Sequence, residues 1–387
     1  LHLSLRRQRQ MCIRDSAYMY ALGKQGVIPM WVGQGHLPTP DFIANPAIDS
    51  LRAGETFYTL QRGIPSLREA LARYHSRLYG KEFEAENFFV CQSGMQSIQM
   101  AVQALLSPGD EVLLPSPAWP NYAMPFRMAG INLIDFSFDF RDGYWHLDLD
   151  RMFAAVTPKT RALVMNTPSN PLGRVLKREE IIAVRDFARA RGLWIIADEV
   201  YARFYYGQDQ DGRDTAPSFL EHCDIEERLF SCNTFSKNWA MTGWRMGWCV
   251  APRAMGQVIE NMVQVNTSGA VTFLQPACVA ALENGEDFLA LQRRQARQGR
   301  DIICEALKGR DGVEFAVPEG AFYLFFKIKG GGRDLYRRLI DETGVGCAPG
   351  AAFGPGGEDW LRLCFARAPE QVADAAERLV GWLKKRR

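Results

Sequence analysis

Short apolar runs, separated by longer amphipathic stretches, constrain the fold of this chain more than any other feature. Seven such runs lie between residues 88 and 250, and they begin at Phe88, Glu111, Ile131, Ala162, Leu193, Leu229 and Met246. Runs of this kind between helical stretches are typical of buried strands joined by crossover helices. The sequence therefore predicts an α/β fold with a mostly parallel seven-stranded sheet flanked by helices.

The two ends of the chain, residues 1–50 and 285–387, lie outside this run of predicted strands. Residues 1–16 lack the apolar core of a secretory signal, weakly resemble a transit peptide, and are more similar to translated sequencing-adapter remnants. We predict a non-native or disordered leader at 1–16 and an arm at 17–50 that belongs to the small domain. A large domain is predicted at 51–284 and a smaller α+β domain at 285–387.

The composition excludes several classes of protein. The 387 residues include 46 basic and 44 acidic side chains, so a net charge of +2 gives no reason to expect nucleic acid or an acidic membrane as partner. The nine cysteines show neither a CxxC pair nor metal-ligand spacing, which indicates a reducing compartment and no metal site. No apolar run approaches the ~18 residues of a membrane-spanning helix. We expect a cytoplasmic enzyme.

Asp198 is a candidate ligand-binding carboxylate because it directly follows the apolar run that begins at Leu193. Open α/β sheets bind ligands at the carboxyl ends of their strands. A helix N-cap is the simpler interpretation of an aspartate in this position. Alternatively, the carboxylate pairs with a cationic ring nitrogen of a ligand, a contact worth roughly 5 kcal/mol before desolvation at ~3 Å.

Lys237 is a candidate nucleophile because its neighbours are apolar. Phe235, Trp239, Met241 and Trp244 surround it in the sequence. Such a setting lowers the pKa of a lysine and makes its neutral amine available for attack or proton transfer. The alternative is an ordinary solvated surface charge.

Two separate segments could bind a phosphate group. Arg245 follows Lys237 by eight residues and can hold a phosphate with two hydrogen bonds, while Thr234 can donate its hydroxyl. Residues 93–96 follow a predicted strand and open a helical stretch, where Gly94 allows close approach and backbone N–H groups face an anion. An ordinary turn is the alternative for the second segment.

Four further residues complete the candidate site. Trp119 follows a predicted strand and either packs in its loop or stacks on a planar ring. Asn170 and Tyr201 can donate hydrogen bonds to a ring oxygen, and Tyr201 lies one helical turn beyond Asp198. Arg362 alternates with apolar residues and needs an anionic partner, either a structural carboxylate or that of a substrate.

These motifs, in this order, resemble the class I/II aminotransferase family of fold-type I pyridoxal-phosphate enzymes over roughly residues 27–385. The segment from Lys237 to Arg245 is the most specific element. The resemblance implies a fold-type I transferase fold and three catalytic residues. Lys237 would carry pyridoxal 5'-phosphate as a Schiff base, Asp198 would pair with the pyridine nitrogen, and Tyr201 would bind the ring oxygen.

The same resemblance implies the remaining binding residues. The cofactor would contact Tyr58, Gly94, Met95, Gln96, Trp119, Asn170, Asp198, Tyr201, Thr234, Lys237 and Arg245. The substrate would contact Gly35, Trp119, Asn170 and Arg362. Tyr58 resembles a tyrosine that reaches the phosphate of the neighbouring subunit, which implies a homodimer with shared active sites.

Two departures from the family pattern affect the expected specificity. The arm from Gly35 to Pro40 looks shorter than the Gly-Glu-Pro-x-x-x-x-Pro pattern. Met95 stands where one branch of aspartate enzymes has a lysine for the distal carboxylate, and a thioether cannot bind that group. Apolar, aromatic or broad amino-donor specificity is therefore expected.

The resulting functional prediction is a transaminase that moves an amino group between an L-amino acid and a 2-oxo acid by ping-pong half reactions. An aspartate-type aminotransferase and a pyridoxal-phosphate-dependent C–S β-lyase of the same fold are the enzymatic alternatives. A non-catalytic regulator on this fold would need a DNA-binding module, for which no length is spare. A nicotinamide-dependent oxidoreductase would need a GxGxxG fingerprint, which the segment around Gly33 and Gly35 does not complete.

Overall fold

The computed structural model of the protein describes residues 13–207 and 213–385. Residues 1–12 of the predicted leader therefore lie outside the described residues, and the last four leader residues belong to the helix Ile13–Ala21. No helix in the described ranges combines the length and the apolar character of a membrane span.

The described residues form strands and helices that alternate along most of the chain. The strands, in chain order, are β1 Ile28–Pro29, β2 Phe88–Cys91, β3 Glu111–Ser116, β4 Asn132–Ser137, β5 Asp139–Arg141, β6 Tyr144–His146, β7 Thr160–Asn166, β8 Trp194–Asp198, β9 Leu229–Thr234, β10 Gly247–Val250, β11 Val313–Phe315, β12 Tyr323–Ile328, β13 Val345–Gly346, β14 Ala348–Pro349 and β15 Trp360–Cys364. The α-helices are α1 Ile13–Ala21, α2 Asp41–Arg52, α3 Pro65–Tyr79, α4 Gly94–Leu105, α5 Ala123–Met128, α6 Leu149–Ala154, α7 Arg178–Arg191, α8 Phe219–His222, α9 Phe235–Asn238, α10 Gly256–Asn266, α11 Gln275–Asn284, α12 Glu286–Leu307, α13 Leu335–Thr343 and α14 Pro369–Lys385. Short 3-10 helices lie at Ala85–Asn87, Pro120–Tyr122, Arg253–Met255, Thr272–Leu274 and Gly350–Phe353.

The central sheet has seven strands in the order β2-β10-β9-β8-β7-β3-β4. All neighbouring strands are parallel except β10, which runs antiparallel to both β2 and β9. Each of the apolar runs found in the sequence forms one of these strands, so the predicted mostly parallel sheet is confirmed. Strands β2, β9 and β10 are buried along their whole length, because helices cover both faces of the sheet.

A second sheet, with the order β11-β12-β15-β14, is antiparallel and comes from the C-terminal part of the chain. The N-terminal arm joins this part, because β1 pairs in parallel with β13. The backbone N–H of Cys364 also donates to the carbonyl oxygen of Met30 at 2.7 Å. The arm thereby passes between the C-terminal sheet and the edge of the central sheet. The domain boundaries at residues 50 and 284 stay a prediction.

Close packing at Gly247 sets the position of helix α4 against the central sheet. A side chain at Gly247 would lie 2.7 Å from the carbonyl carbon of Ser93 and 2.9 Å from the backbone nitrogen of Gly94. The hydroxyl of Ser93 caps the helix by accepting a hydrogen bond from the backbone N–H of Gln96 at 3.2 Å. Strand β10 and the first turn of α4 are therefore held in contact.

Candidate active site

A cavity of about 730 Å³ opens where three parallel strands of the central sheet end. Asn166, Asp198 and Thr234, the last residues of β7, β8 and β9, all line it. This is the edge at which open α/β sheets bind ligands. Most of the residues predicted from the sequence lie in its wall: Gly94, Met95, Trp119, Asn170, Asp198, Tyr201, Thr234, Lys237, Arg245 and Arg362.

Lys237 extends from the short helix α9 into this cavity. Its Nζ donates a hydrogen bond to the carbonyl oxygen of Gly33 at 2.9 Å. Burial is the main cause that lowers the pKa of the amine to about 8; the positive charges of Arg362 and Arg245 act in the same direction, and Cys364 and Asp198 oppose them. A substantial fraction of the amine is therefore neutral and nucleophilic near neutral pH.

Asp198 is buried, and burial raises the pKa of its carboxyl group to about 6. Two hydrogen bonds oppose this effect: the carboxylate accepts one from the hydroxyl of Tyr122 and one from the backbone N–H of Val200, the latter at 3.2 Å. No described cation forms an ion pair with Asp198. A buried carboxylate of this kind is stabilised by a cation that enters the cavity.

The helix N-cap interpretation of Asp198 is wrong, because residues 199–207 form turns and extended structure rather than a helix. Tyr201 therefore does not lie one helical turn beyond Asp198, although both residues line the same cavity. The buried hydroxyl of Tyr201 lies 2.8 Å from that of Tyr323, and either oxygen can be the donor. Turn geometry, rather than helical spacing, brings Tyr201 to the site.

Arg362 is a buried cation on strand β15, and no acidic side chain among the described residues pairs with it. Its Nη1 donates to Oδ1 of Asn170 at 3.0 Å and its Nη2 donates to the carbonyl oxygen of Trp31 at 2.6 Å. Its Nε is buried without a hydrogen-bond partner. The structural ion pair considered from the sequence is therefore wrong, and the guanidinium is suited to bind an anion from outside the chain.

All but one of the predicted phosphate-binding residues line the cavity. Gly94 and Met95 are the first residues of helix α4 and line the cavity, so N–H groups that a helix start leaves unpaired are available there. Thr234 and Arg245 line the same cavity, and Arg245 is exposed to it. Gln96 does not line the cavity, and its backbone N–H is already bonded to Ser93.

Gly33 occupies the position predicted for Gly35. Gly33 lines the main cavity, whereas Gly35 lines a smaller one behind Lys237. A side chain at Gly33 would collide with the hydroxyl group of Tyr323, so this position requires glycine. Counted from Gly33, the arm reaches Pro40 in eight residues, the length of the Gly-Glu-Pro-x-x-x-x-Pro pattern, whereas the shortening counted from Gly35 stays a prediction.

Tyr58 lies outside the cavity. It is 91 % exposed, and with Phe57 it lines a separate surface depression. Its predicted role in the neighbouring subunit is not tested by this single chain.

Tyr122, Ser236 and Tyr323 line the cavity but were not predicted from the sequence. Tyr122 donates a hydrogen bond to Asp198 and packs edge-on against Trp119, with ring centroids 5.5 Å apart. It thereby fixes the carboxylate and the indole relative to each other. Only contacts between distant parts of the chain, such as that between Tyr122 and Asp198, reveal their position.

Comparison with known proteins assigns this fold and cavity to a family. The family model for aminotransferase class I and II matches residues 27–379. The chain belongs to the class I and II aminotransferase family. It is an aminotransferase, as the sequence predicted.

Curated aminotransferases cover nearly the whole chain. An aspartate aminotransferase of Thermotoga maritima is 33% identical over 95% of this chain and 94% of its own length. An aromatic-amino-acid aminotransferase of Thermococcus litoralis is 34% identical, with the same two coverages of 95% and 94%. An arginine–pyruvate transaminase of Pseudomonas aeruginosa is 33% identical over 91% of this chain and 89% of its own length.

Solved aminotransferase structures confirm the fold. An aromatic aminotransferase from Pyrococcus horikoshii superposes with a TM-score of 0.87 at 31% identity, covering 96% of this chain and 99% of that one. An aspartate aminotransferase mutant from Thermus thermophilus gives a TM-score of 0.87 at 29% identity, covering 95% of both chains.

Proposed function

We propose that this aminotransferase uses pyridoxal 5'-phosphate bound at Lys237 to move an amino group between an L-amino acid and a 2-oxo acid. The observation that carries the proposal is the charge arrangement of the cavity. A partly neutral amine on Lys237, a buried carboxylate on Asp198 and a buried cation on Arg362 line one cavity, and neither charged group has an ion-pair partner among the described residues.

The residues of the cavity fit this cofactor. Asp198 would hold a proton on the pyridine nitrogen, because a buried carboxylate without a cation gains most from a cationic partner. Trp119 would stack on the ring, while Asn170 and Tyr201 would face its oxygen. The start of helix α4, Thr234 and Arg245, which line the same cavity, would hold the phosphate.

Each functional group of the chain then has a defined task in the reaction. Bound pyridoxal phosphate supplies an electron sink that makes the Cα proton of the substrate acidic. Lys237, as a neutral amine of lowered pKa, would take that proton from the substrate Cα and deliver it to C4′ of the cofactor. Arg362 holds the α-carboxylate and so fixes the substrate relative to Lys237.

Arg362→Lys should lower kcat/KM for every amino donor by about 10- to 100-fold, because an ammonium cannot reproduce the planar two-point grip of a guanidinium. The loss should be similar for phenylalanine, leucine and aspartate, since all share the α-carboxylate. Steady-state kinetics with the three donors measures it. A loss confined to one donor would instead place Arg362 at the side chain of the substrate.

The side-chain part of the cavity favours apolar or aromatic donors. Among the described residues, the cations that line the cavity are Lys237, Arg245 and Arg362, and each already has a proposed task. Met95 and Trp119 add apolar surface, which favours an apolar side chain by ~25 cal/mol per Å² covered. A distal carboxylate would stay unpaired, at a cost.

We expect a screen of amino donors with 2-oxoglutarate and pyruvate to give a higher kcat/KM for phenylalanine or leucine than for aspartate. Formation of the matching 2-oxo acid is measured for each donor. If aspartate leads by about 100-fold, corresponding to nearly 3 kcal/mol, a cation outside these described residues binds its distal carboxylate. Such a result would favour the aspartate-type alternative.

We also propose a cytoplasmic homodimer with shared active sites, in which Tyr58 reaches the cavity of the second copy. The exposure of Phe57 and Tyr58, at 81% and 91%, supports the proposal, because large aromatic side chains at such exposure favour an interface. Light scattering should give twice the mass of the chain. Tyr58→Phe should weaken cofactor binding, whereas a monomer with unchanged affinity would contradict the shared site.

A further inference from the structure

The loop at residues 240–245, which ends at Arg245, is bound by the N-terminal arm. The hydroxyl of Thr39 donates a hydrogen bond to the carbonyl oxygen of Ala240 at 2.7 Å. The same hydroxyl accepts a hydrogen bond from the indole Nε1–H of Trp244 at 2.9 Å. These two bonds, here called the Thr39 bridge, join positions that are 201 and 205 residues apart in the sequence.

The backbone of this loop is strained at both ends. Ala240 has a φ of +53° and Arg245 a φ of +58°, in the left-handed region that residues with a side chain disfavour. Such conformations persist only where surrounding contacts determine them. The Thr39 bridge contacts the first residue of the loop and the residue immediately before Arg245. These contacts can stabilise the strained backbone at both positions.

Within the described ranges, the hydroxyl of Thr39 forms only the two hydrogen bonds of the bridge. Helix α2 begins at Asp41, its N-cap residue is Pro40, and no side chain caps its start. A threonine close before a helix usually serves as a cap, but this one bonds to a distant loop instead. A second contact between arm and loop, from the hydroxyl of Thr242 to Oε1 of Gln34, is longer at 3.3 Å and exposed.

The same arm also binds two other residues that line the cavity. The carbonyl oxygen of Trp31 accepts a hydrogen bond from Arg362, and that of Gly33 accepts one from Lys237. One short segment of chain therefore touches the proposed carboxylate site, the amine and the loop that ends at Arg245. A change in the position of the arm would act on all three.

We propose that Thr39 is a positioning residue for the cofactor phosphate, because its hydroxyl holds the 240–245 loop in the shape that directs Arg245 to the cavity. The proposal rests on the proposed function, in which Arg245 binds the phosphate. Thr39 itself touches neither the phosphate nor the substrate. The affinity for the cofactor thus depends on an arm that also borders the substrate site.

Titrations of the cofactor-free protein test this role. Thr39→Val keeps the shape of the side chain but removes the hydroxyl, and should weaken the binding of pyridoxal 5'-phosphate by about tenfold. Thr39→Ser keeps the hydroxyl and should bind as the wild type does. The binding of pyridoxal, which lacks the phosphate, should be the same in all three proteins, since the loop acts only on the phosphate.

Trp244→Phe provides a second variant that removes only one bond of the bridge. It should weaken the binding of pyridoxal 5'-phosphate less than Thr39→Val does, and the double variant should bind no worse than Thr39→Val, because the two residues act together. If Thr39→Val fails to fold, a phosphate-selective loss in Trp244→Phe still supports the bridge, and an unchanged affinity there overturns it.

Three results would overturn the proposal: an unchanged affinity in Thr39→Val, an equal loss for the cofactor and for pyridoxal, or a loss in Thr39→Ser as large as in Thr39→Val. A wild-type protein that does not bind pyridoxal 5'-phosphate would instead contradict the proposed function. That result comes from the wild-type protein alone. A failure of the proposed function can therefore be distinguished from a failure of the proposed role of Thr39.

Discussion

Replacing Lys237 by alanine should remove the covalent attachment of pyridoxal 5'-phosphate and slow turnover by about 10⁴-fold, the upper end of what one positioned acid–base group contributes. Lys237 is the only lysine that lines the cavity among the described residues, so no other amine there can take its place. The wild-type protein should be yellow, and mass spectrometry after borohydride reduction should locate the cofactor on Lys237. The variant should show neither.

A matched control separates this effect from the loss of a positive charge. Lys308 is exposed and pairs only with Glu305 on the surface, at 3.6 Å. Lys308→Ala should keep the visible absorbance and the activity of the wild type. A colourless wild-type protein that binds no added cofactor would contradict the proposal that Lys237 carries pyridoxal 5'-phosphate.

The rate of cofactor attachment should depend on pH in a direction set by the pKa of Lys237. Burial lowers that pKa to about 8 in the cofactor-free protein, and only the neutral amine attacks an aldehyde. The rate should therefore rise with pH up to about 8 and level off above it. Stopped-flow absorbance after mixing with the cofactor measures this profile. A midpoint near the ordinary value of 10.5 would mean that the amine is solvated.

The strands of the central sheet could be predicted because their signal is local. Each apolar run is short and lies between helical stretches, and each became one strand of the sheet. The position of Asp198 at a strand end followed from the same pattern. Parallel strands end at one edge, and the structure shows Asp198 and Thr234, the last residues of β8 and β9, in the wall of one cavity.

Contacts between distant parts of the chain were harder to predict. Tyr122 binds Asp198 from 76 residues away, and Gly33 accepts the bond of Lys237 from 204 residues away. The periodicity of the sequence does not predict such pairs, since they depend on how distant segments pack at the edge of the sheet. The turn after Asp198 was mistaken for a helix because a three-residue spacing fits either conformation.

Asp198→Asn should leave the fold intact and slow turnover by roughly a hundredfold to several thousandfold, which corresponds to losing an interaction of ~3–5 kcal/mol. The neutral amide keeps one oxygen to accept the hydrogen bond from the backbone N–H of Val200, and its NH₂ group can donate to the hydroxyl oxygen of Tyr122, but it cannot hold a proton on the pyridine nitrogen. Single-turnover kinetics with the cofactor bound measures the loss. Near-normal turnover in this variant would show that Asp198 has no role in the reaction.

Glu199 offers a control one residue away that undergoes the same chemical change. It is buried, burial raises its pKa to about 7, and it accepts hydrogen bonds from Ser218, Ser231 and the backbone of Phe219. It does not line the cavity. Glu199→Gln should therefore keep most of the turnover, whatever it does to stability, so a loss specific to Asp198→Asn identifies a contact with the cofactor.

The stability of the cofactor-free protein gives an independent test of the same contact. The pKa of Asp198 is raised from 3.8 to about 6 by burial, so its contribution to stability is fully present below pH 3.8 and is lost as pH rises through 6. At pH 8 the cofactor-free Asp198→Asn protein should therefore unfold at a temperature no lower than the wild type, because it lacks the buried charge. Added cofactor should reverse that order, since only the wild-type carboxylate gains a cationic partner. If the cofactor raised the unfolding temperature of both proteins equally, the carboxylate would have no contact with the pyridine nitrogen.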